Sequence, residues 1–177
     1  MSTGTAVPAI EAIDVTRIFG GGRTLFGGVL PGVHAVQSAG LTVETGETLG
    51  VVGESGCGKS TLARMLVGLD RPTGGHIRLE GEDVAMMARR DSNALAKRVQ
   101  YVFQDPVASL NPRKTIRQIL EAPMRRLLSM GGEEREIRLR ELMQVVSLRE
   151  EFLERYPHEF SGGQAQRIGI ARALAAG

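Results

Sequence analysis

Apolar and polar positions recur with two different periods along this chain, and the change of period divides it. Ile10, Ile13, Val15 and Ile18, followed by Phe19, predict a first strand that Gly20, Gly21 and Gly22 would end. A glycine-rich loop follows, and residues 33–43 form a second extended segment. Residues 44–47, centred on Gly46, read as a turn before the continuous apolar run 48–52, which reads as a buried core strand. Between 59 and 69 the apolar residues Leu62, Met65, Leu66 and Leu69 recur at threes and fours, the spacing of a helix, and residues 72–75 break it. Residues 76–79 alternate as a short strand. Residues 99–103 are a further strand candidate that enters a loop rich in Asp, Pro, Ser and Asn.

Beyond that loop the helical period takes over. Residues 115–128 put Ile116, Ile119, Leu120, Leu127 and Leu128 on one stripe, with Pro123 expected to kink or shorten the helix. Residues 133–146 carry Ile137, Leu139, Leu142, Val145 and Val146, with Gly131 and Gly132 as the joint between the two helices. A last helix opens at Gly162 and Gly163 and carries Ile168, Ile170, Ala171 and Leu174. The organisation is α/β: strands, a glycine loop and a helix, then a helical insertion, with no internal repeat.

Composition narrows the function classes. A 177-residue chain that is 42% apolar can bury the core of one domain. Its 22 basic and 20 acidic residues leave a net charge of +2, so nothing implies a nucleic-acid partner. Lysine occurs only at 59, 97 and 114, and the first of these lies in the glycine loop. The single cysteine, Cys57, excludes an internal disulfide and suits a reducing compartment. The first twelve residues lack the pattern of a secretion signal, and no run approaches the roughly 20 apolar residues that span a bilayer. A membrane role would have to come through a partner.

The chemistry is concentrated in residues 53–61. Gly53, Glu54, Ser55, Gly56, Cys57, Gly58, Lys59, Ser60 and Thr61 follow the phosphate-loop pattern, between a predicted strand and a predicted helix. The glycines let backbone amides approach phosphates, and the helix start adds a fixed partial positive charge. Lys59 is placed to reach the β- and γ-phosphates, the Ser60 hydroxyl to ligate Mg²⁺, and Thr61 to bond a phosphate oxygen. Cys57 occupies a position whose side chain has no required chemistry. Alone, this loop says NTPase or kinase. A second string, Phe160-Ser161-Gly162-Gly163-Gln164, offers a hydroxyl and two bare glycine amides at another helix start.

With Gln104 after the strand candidate and Phe19 at the end of the first strand, these strings resemble the ATP-binding-cassette family. Residues 104–113 and 155–160 resemble its subfamily importing oligopeptides, dipeptides, nickel or glutathione. The resemblance covers nearly the whole chain. It implies a P-loop NTPase core with N-terminal antiparallel strands and a helical subdomain over about residues 105–160. It also implies that residues 53–61 bind ATP with Mg²⁺, that Phe19 stacks on adenine with Val36 in apolar contact, and that Gln104 reaches the metal or the attacking water. Ser161, Gly162, Gly163 and Gln164 would then face the γ-phosphate of ATP held by a second ATP-binding subunit. Lys59 and Gln104 are the catalytic groups so implied, in metal-assisted attack of water on the γ-phosphate.

The implied partners are that second subunit, membrane-spanning permease subunits and, indirectly, a solute-binding protein, at the cytoplasmic face of the inner (plasma) membrane. His158 reads as structural, and Arg89 with Arg90 as a solvated patch. Members of the family continue past the signature helix into an apolar strand ending in Asp and Glu, then a switch histidine. The chain is therefore expected to be an N-terminal fragment, lacking the C-terminal part of the core sheet and inactive by itself. The alternative is a nucleotide-binding or dimerisation module without ATPase activity.

Overall fold

The long first strand exists, and it runs further than its glycines suggest. In the computed structural model, which describes residues 7–23 and 29–177, β1 (Ile10–Arg23) pairs antiparallel with β2 (Val29–Val43), from Ile10 opposite Val43 to Arg23 opposite Val29. Gly20–Gly22 do not end β1: Gly20 lies opposite Gly32 and Gly22 opposite Leu30. Ladder hydrogen bonds are made by backbone groups, which glycine keeps. Of the glycine-rich loop expected before residue 33, residues 24–28 lie outside the described residues and 29–32 belong to β2. On the other side of β1 lies β3 (Gly74–Leu79), and β4 (Glu82–Asp83) pairs with β3, giving the order β2-β1-β3-β4. A bulge in the β1–β2 pair is tied by side chains. Ser38 Oγ donates to Asp14 Oδ1 at 3.1 Å and the Ser38 amide donates to Thr16 Oγ1 at 3.1 Å.

The turn at 44–47 forms as expected, with the Glu47 amide donating to the Glu44 carbonyl at 3.1 Å. The apolar run read as a core strand and the further strand candidate at 99–103 do not form strands. Residues 48–52 are irregular, with Val51 48% and Val52 93% exposed. Residues 99–103 are irregular too, with Val102 and Phe103 exposed. An extended run becomes a strand only when a neighbour completes its ladder, and no described segment pairs with either run.

The first helix, α1 (Lys59–Leu66), stops short of Leu69. Its end is set by Gly68 and not by Pro72. Gly68 takes φ 74°, its amide donates to the Met65 carbonyl at 3.0 Å, and the Leu69 amide reaches back to the Arg64 carbonyl at 2.9 Å. Two short helices, α2 (Val84–Arg90) and α3 (Ser92–Arg98), were not legible as periodicity, because seven residues carry too few apolar repeats. Their signal was capping. Asp83 Oδ1 accepts from the Met86 amide at 2.9 Å, and Asp91 Oδ1 accepts from the Asn93 and Ala94 amides.

The chain divides into two compact units, one up to Leu95 and one from Ala96 to Gly177. In the first, Ala12, Val15, Ile77 and Leu79 of the sheet are buried along with Met65, Val84, Met87 and Leu95 of the helices. The second is helical: α4 (Ile116–Leu127), α5 (Gly132–Val145) and α6 (Gly162–Leu174), with short 3₁₀ turns at Glu150–Glu154 and Pro157–Glu159. Thr115 and Gln118 form a reciprocal cap at the start of α4, at 3.4 and 3.2 Å. Pro123 sits inside α4, which nevertheless runs on to Leu127. Proline removes one helical donor, and burial of Ile119, Leu120 and Met124 holds the turn.

The core of this unit joins Ile116, Leu120 and Met124 to Leu139, Leu142, Met143, Leu153 and Ile168. The stripe on α5 is therefore Leu139, Leu142, Met143 and Val146, while Ile137 (55%) and Val145 (66%) face solvent, contrary to the sequence reading. Likewise Ile168 and Ala171 of α6 are buried and Ile170 and Leu174 are exposed. A three-and-four spacing admits neighbouring phases of the helix, and packing selects one.

Candidate functional site

The phosphate-loop residues form a compact backbone wrap at the entrance to α1. The Cys57 amide donates to the Glu54 carbonyl at 3.4 Å, closing a turn, and Gly58 at φ 97° leads into the helix. A side-chain carbon at Gly58 would run into the Ala35 carbonyl oxygen of β2, so only glycine allows this approach. The first intrahelical bond runs from the Leu62 amide to the Gly58 carbonyl at 2.8 Å. The amides of Lys59, Ser60 and Thr61 precede it and have no acceptor within the helix.

Lys59 folds back over the loop. Its Nζ donates to the Gly53 carbonyl at 2.8 Å, to the Glu54 carbonyl at 2.6 Å and to Cys57 Sγ at 3.5 Å. Among the described residues it pairs with no carboxylate, so its charge is met only by neutral acceptors. Beside the loop lies an open groove of about 400 Å³, walled by β2 residues His34–Gln37, by Val51 and Val52, and by Cys57, Gly58, Lys59 and Leu62. A bound ligand in this groove would meet a cation at one end and apolar Val36, Val51 and Leu62 along its length.

The expected site residues fall in both units. Residues 53–61 and Val36 come together, with Val36 buried beneath Gly58. Phe19 lies on β1 opposite Val33, half exposed, with the Arg17 guanidinium 4.5 Å from its ring centroid. It does not line the groove. His34 and Gln37 do, and the sequence reading missed them although they flank Val36 in a predicted strand.

In the second unit Gln104 is exposed and its side chain makes no hydrogen bond among the described residues. No strand precedes it; Tyr101 and Phe103 instead stack edge to face with centroids 4.7 Å apart. Ser161 caps α6: its Oγ accepts from the Gln164 amide at 3.4 Å while its amide donates to Gln164 Oε1 at 3.1 Å. Side-chain carbons built at Gly162 and Gly163 would meet nothing within 4 Å. Packing in this chain does not require glycine there, whereas bare amides at a helix start suit close approach by an anion. His158 stacks on Tyr156 with centroids 5.9 Å apart.

Residues 36–177 match the family model described as ABC transporter. The chain belongs to the ABC transporter family. It is 46% identical over 166 residues to the oligopeptide transport ATP-binding protein AppF of Bacillus subtilis (strain 168), covering 93% of this chain and 50% of AppF. It is 46% identical over 140 residues to the nickel import ATP-binding protein NikE of Escherichia coli (strain K12), covering 79% of this chain and 52% of NikE. To the di/tripeptide transport ATP-binding protein DppF of Pseudomonas aeruginosa (strain UCBPP-PA14) it is 44% identical over 165 residues, covering 93% and 51%. This ABC chain thus spans about half the length of the curated relatives it matches.

Among solved structures it resembles the ATP-binding cassette MJ0796 in a dimeric post-hydrolysis state bound to ADP and Pi. The TM-score is 0.79 at 31% identity, covering 94% of this chain and 69% of that one. The α/β cassette fold, with N-terminal antiparallel strands and a helical part, is therefore that of ABC ATPases, although residues 48–52 and 99–103 are not hydrogen-bonded as strands here.

Proposed function

We propose that this chain is the ATP-binding part of an ABC importer subunit that couples ATP binding and hydrolysis to uptake of a peptide or a related small solute. The observation that carries the reading is Lys59, folded onto a glycine loop at the start of α1 and met only by neutral acceptors. A phosphate oxygen, being charged, competes strongly for those donors. The acceptor-free amides at the head of α1 and the groove along β2 fit a nucleoside triphosphate, with phosphates at the loop and the rest of the molecule against Val36. Phe19 lies outside this groove, with the Arg17 guanidinium over its ring, so stacking on the base would require the nucleotide to extend beyond the groove.

Among the described residues no group of three or more His, Cys, Asp or Glu side chains could hold a metal ion. Where Mg²⁺ accompanies the nucleotide, the Ser60 hydroxyl at the head of α1 would be the ligand offered beside the loop, and the ion would neutralise phosphate charge. Lys59 stabilises charge on the β- and γ-phosphates, and Gln104, which carries no titratable proton, orients water without taking its proton. Ser161, Gly162 and Gly163 present α6 to the γ-phosphate of a nucleotide held by a second ATP-binding subunit. No helix among the described residues is long and apolar enough to cross a membrane. In this reading the subunit works at the cytoplasmic face beneath permease partners, supplied by a solute-binding protein, as the importer names of the relatives suggest. The relatives named for oligopeptide, di/tripeptide and nickel transport support this class of cargo.

The test is ATP binding by the full-length protein. Replacing Lys59 by Ala removes a charge-assisted contact of roughly 1.5 kcal/mol or more, so affinity should fall at least about tenfold. Unchanged affinity would sink the reading. Cys57, exposed in the same loop, supplies a second measurement: ATP should slow its alkylation, and equal rates with and without ATP would count against the site. The importer assignment is tested in cells: Lys59→Ala in the full-length protein should abolish accumulation of a labelled peptide or of nickel, and unaffected accumulation of both would overturn it.

A further inference from the structure

Arg172 is a half-buried charge with no counter-charge among the described residues. It lies on α6, eleven residues after Ser161, which is about 16 Å along the helix. Its Nη1 donates to the Ser109 carbonyl at 2.6 Å and its Nη2 to Ser109 Oγ at 3.4 Å. Among the described residues it makes no ion pair, and burial pushes its guanidinium below the usual arginine value. Sinking a cation onto neutral acceptors is a poor way to stabilise a core, where an apolar side chain of the same volume would serve better. What the guanidinium does achieve is a two-point hold on one residue of the loop that follows Gln104.

That loop is internally bonded, so holding one residue holds the rest. Ser109 Oγ donates to the Pro106 carbonyl at 2.8 Å, the Ala108 amide to Asp105 Oδ1 at 3.0 Å, and the Leu110 amide to the Val107 carbonyl at 3.1 Å. Leu110 is buried in the same core as Ile168 and Ala171 of α6. Residues 105–110 therefore move as one piece, and Arg172 is its polar attachment to α6.

We propose that Arg172 is a positioning residue that fastens the loop directly following Gln104 to the helix carrying Ser161, so that a ligand engaging the Ser161 end of α6 alters, through the backbone at 105, the placement of Gln104. The attachment stands on the geometry alone; its consequence for nucleotide chemistry rests on the roles proposed above for Gln104 and Ser161.

The experiment uses the full-length protein and its Arg172→Ala and Arg172→Lys variants, following amide hydrogen exchange with and without a non-hydrolysable ATP analogue, and steady-state ATP turnover. In the unsubstituted protein the analogue should slow exchange at 105–110 as well as at 53–61. In Arg172→Ala the loop should exchange about tenfold faster and lose its response to the analogue, while 53–61 stay protected. Turnover should fall with the KM for ATP changed less than about twofold, the pattern of a group acting on the reaction and not on substrate binding. Arg172→Lys, which keeps one donor to Ser109, should recover part of both effects.

Loop exchange identical to the unsubstituted protein, or a loop that still answers the analogue in Arg172→Ala, would overturn the proposal. So would faster exchange throughout residues 96–177 in both variants, since Arg172 would then merely hold the fold. If the analogue protects nothing at 53–61 even in the unsubstituted protein, the ATP reading fails, and loop exchange without nucleotide still decides whether the attachment exists.

Discussion

The helical unit buries its apolar stripes against one another, whereas the phosphate-loop unit leaves its most continuous apolar run, residues 48–52, against solvent. In the former, Leu120, Met124, Leu139, Leu142 and Ile168 from three helices close around a single core. In the latter, Leu49, Val51 and Val52 lie against solvent just ahead of the most informative motif in the chain. The difference is one of hydrogen bonding. A helix satisfies its own backbone and needs neighbours only for its side chains, whereas a strand needs a neighbour for its backbone as well. Apolar sequence suffices to recruit a helix to a core, and it does not suffice to make residues 48–52 a strand.

The contrast can be broken most directly in the two cores. Leu120→Ala should destabilise the protein by about 3 kcal/mol, through lost burial and the cavity left behind, as read by chemical denaturation. Val52→Ala, at 93% exposure, should change stability by less than about 0.5 kcal/mol. Equal effects would show that 48–52 are packed after all. A smaller step tests whether α4 depends on its local cap: Thr115→Ala removes the acceptor for the Gln118 amide and should cost about 1 kcal/mol. The smallest effect sharpens the phase of α5. Ile137→Glu should be neutral within about 0.5 kcal/mol, and a loss comparable to Leu120→Ala would return Ile137 to the core.

Ion pairs in the helical unit do not change this ranking. Arg117 bonds Glu154 at 2.7 Å and also Glu136, and the Glu154 contact holds its guanidinium above the usual arginine value. These side chains are substantially solvated, and pairs of this kind contribute only about 0–1 kcal/mol.

Much of the geometry at the candidate site was legible because it is local. The spacing from Gly53 to Thr61 requires a tight wrap and a helix start, both made within a few residues, and Ser161 with Gln164 forms a reciprocal cap four residues long. Two features were not legible for the opposite reason. The Ala35 carbonyl that makes Gly58 obligatory is 23 positions away along the chain, and Arg172 reaches Ser109 across 63.

By itself, then, the amino-acid sequence determined the glycine wrap at 53–61, the Ser161–Gln164 cap and the existence of the three long helices, since each rests on contacts between near neighbours or on a repeating period, while the antiparallel pairing of the first strands was implied only by the family resemblance. Only the tertiary structure decided which face of α5 is buried, that β1 passes through its glycines, that residues 48–52 and 99–103 remain unpaired, and that Arg172 grips the loop beyond Gln104. Each of those outcomes depends on which distant surface is present to supply a hydrogen-bond partner or exclude water, and a linear pattern does not encode that partner's position.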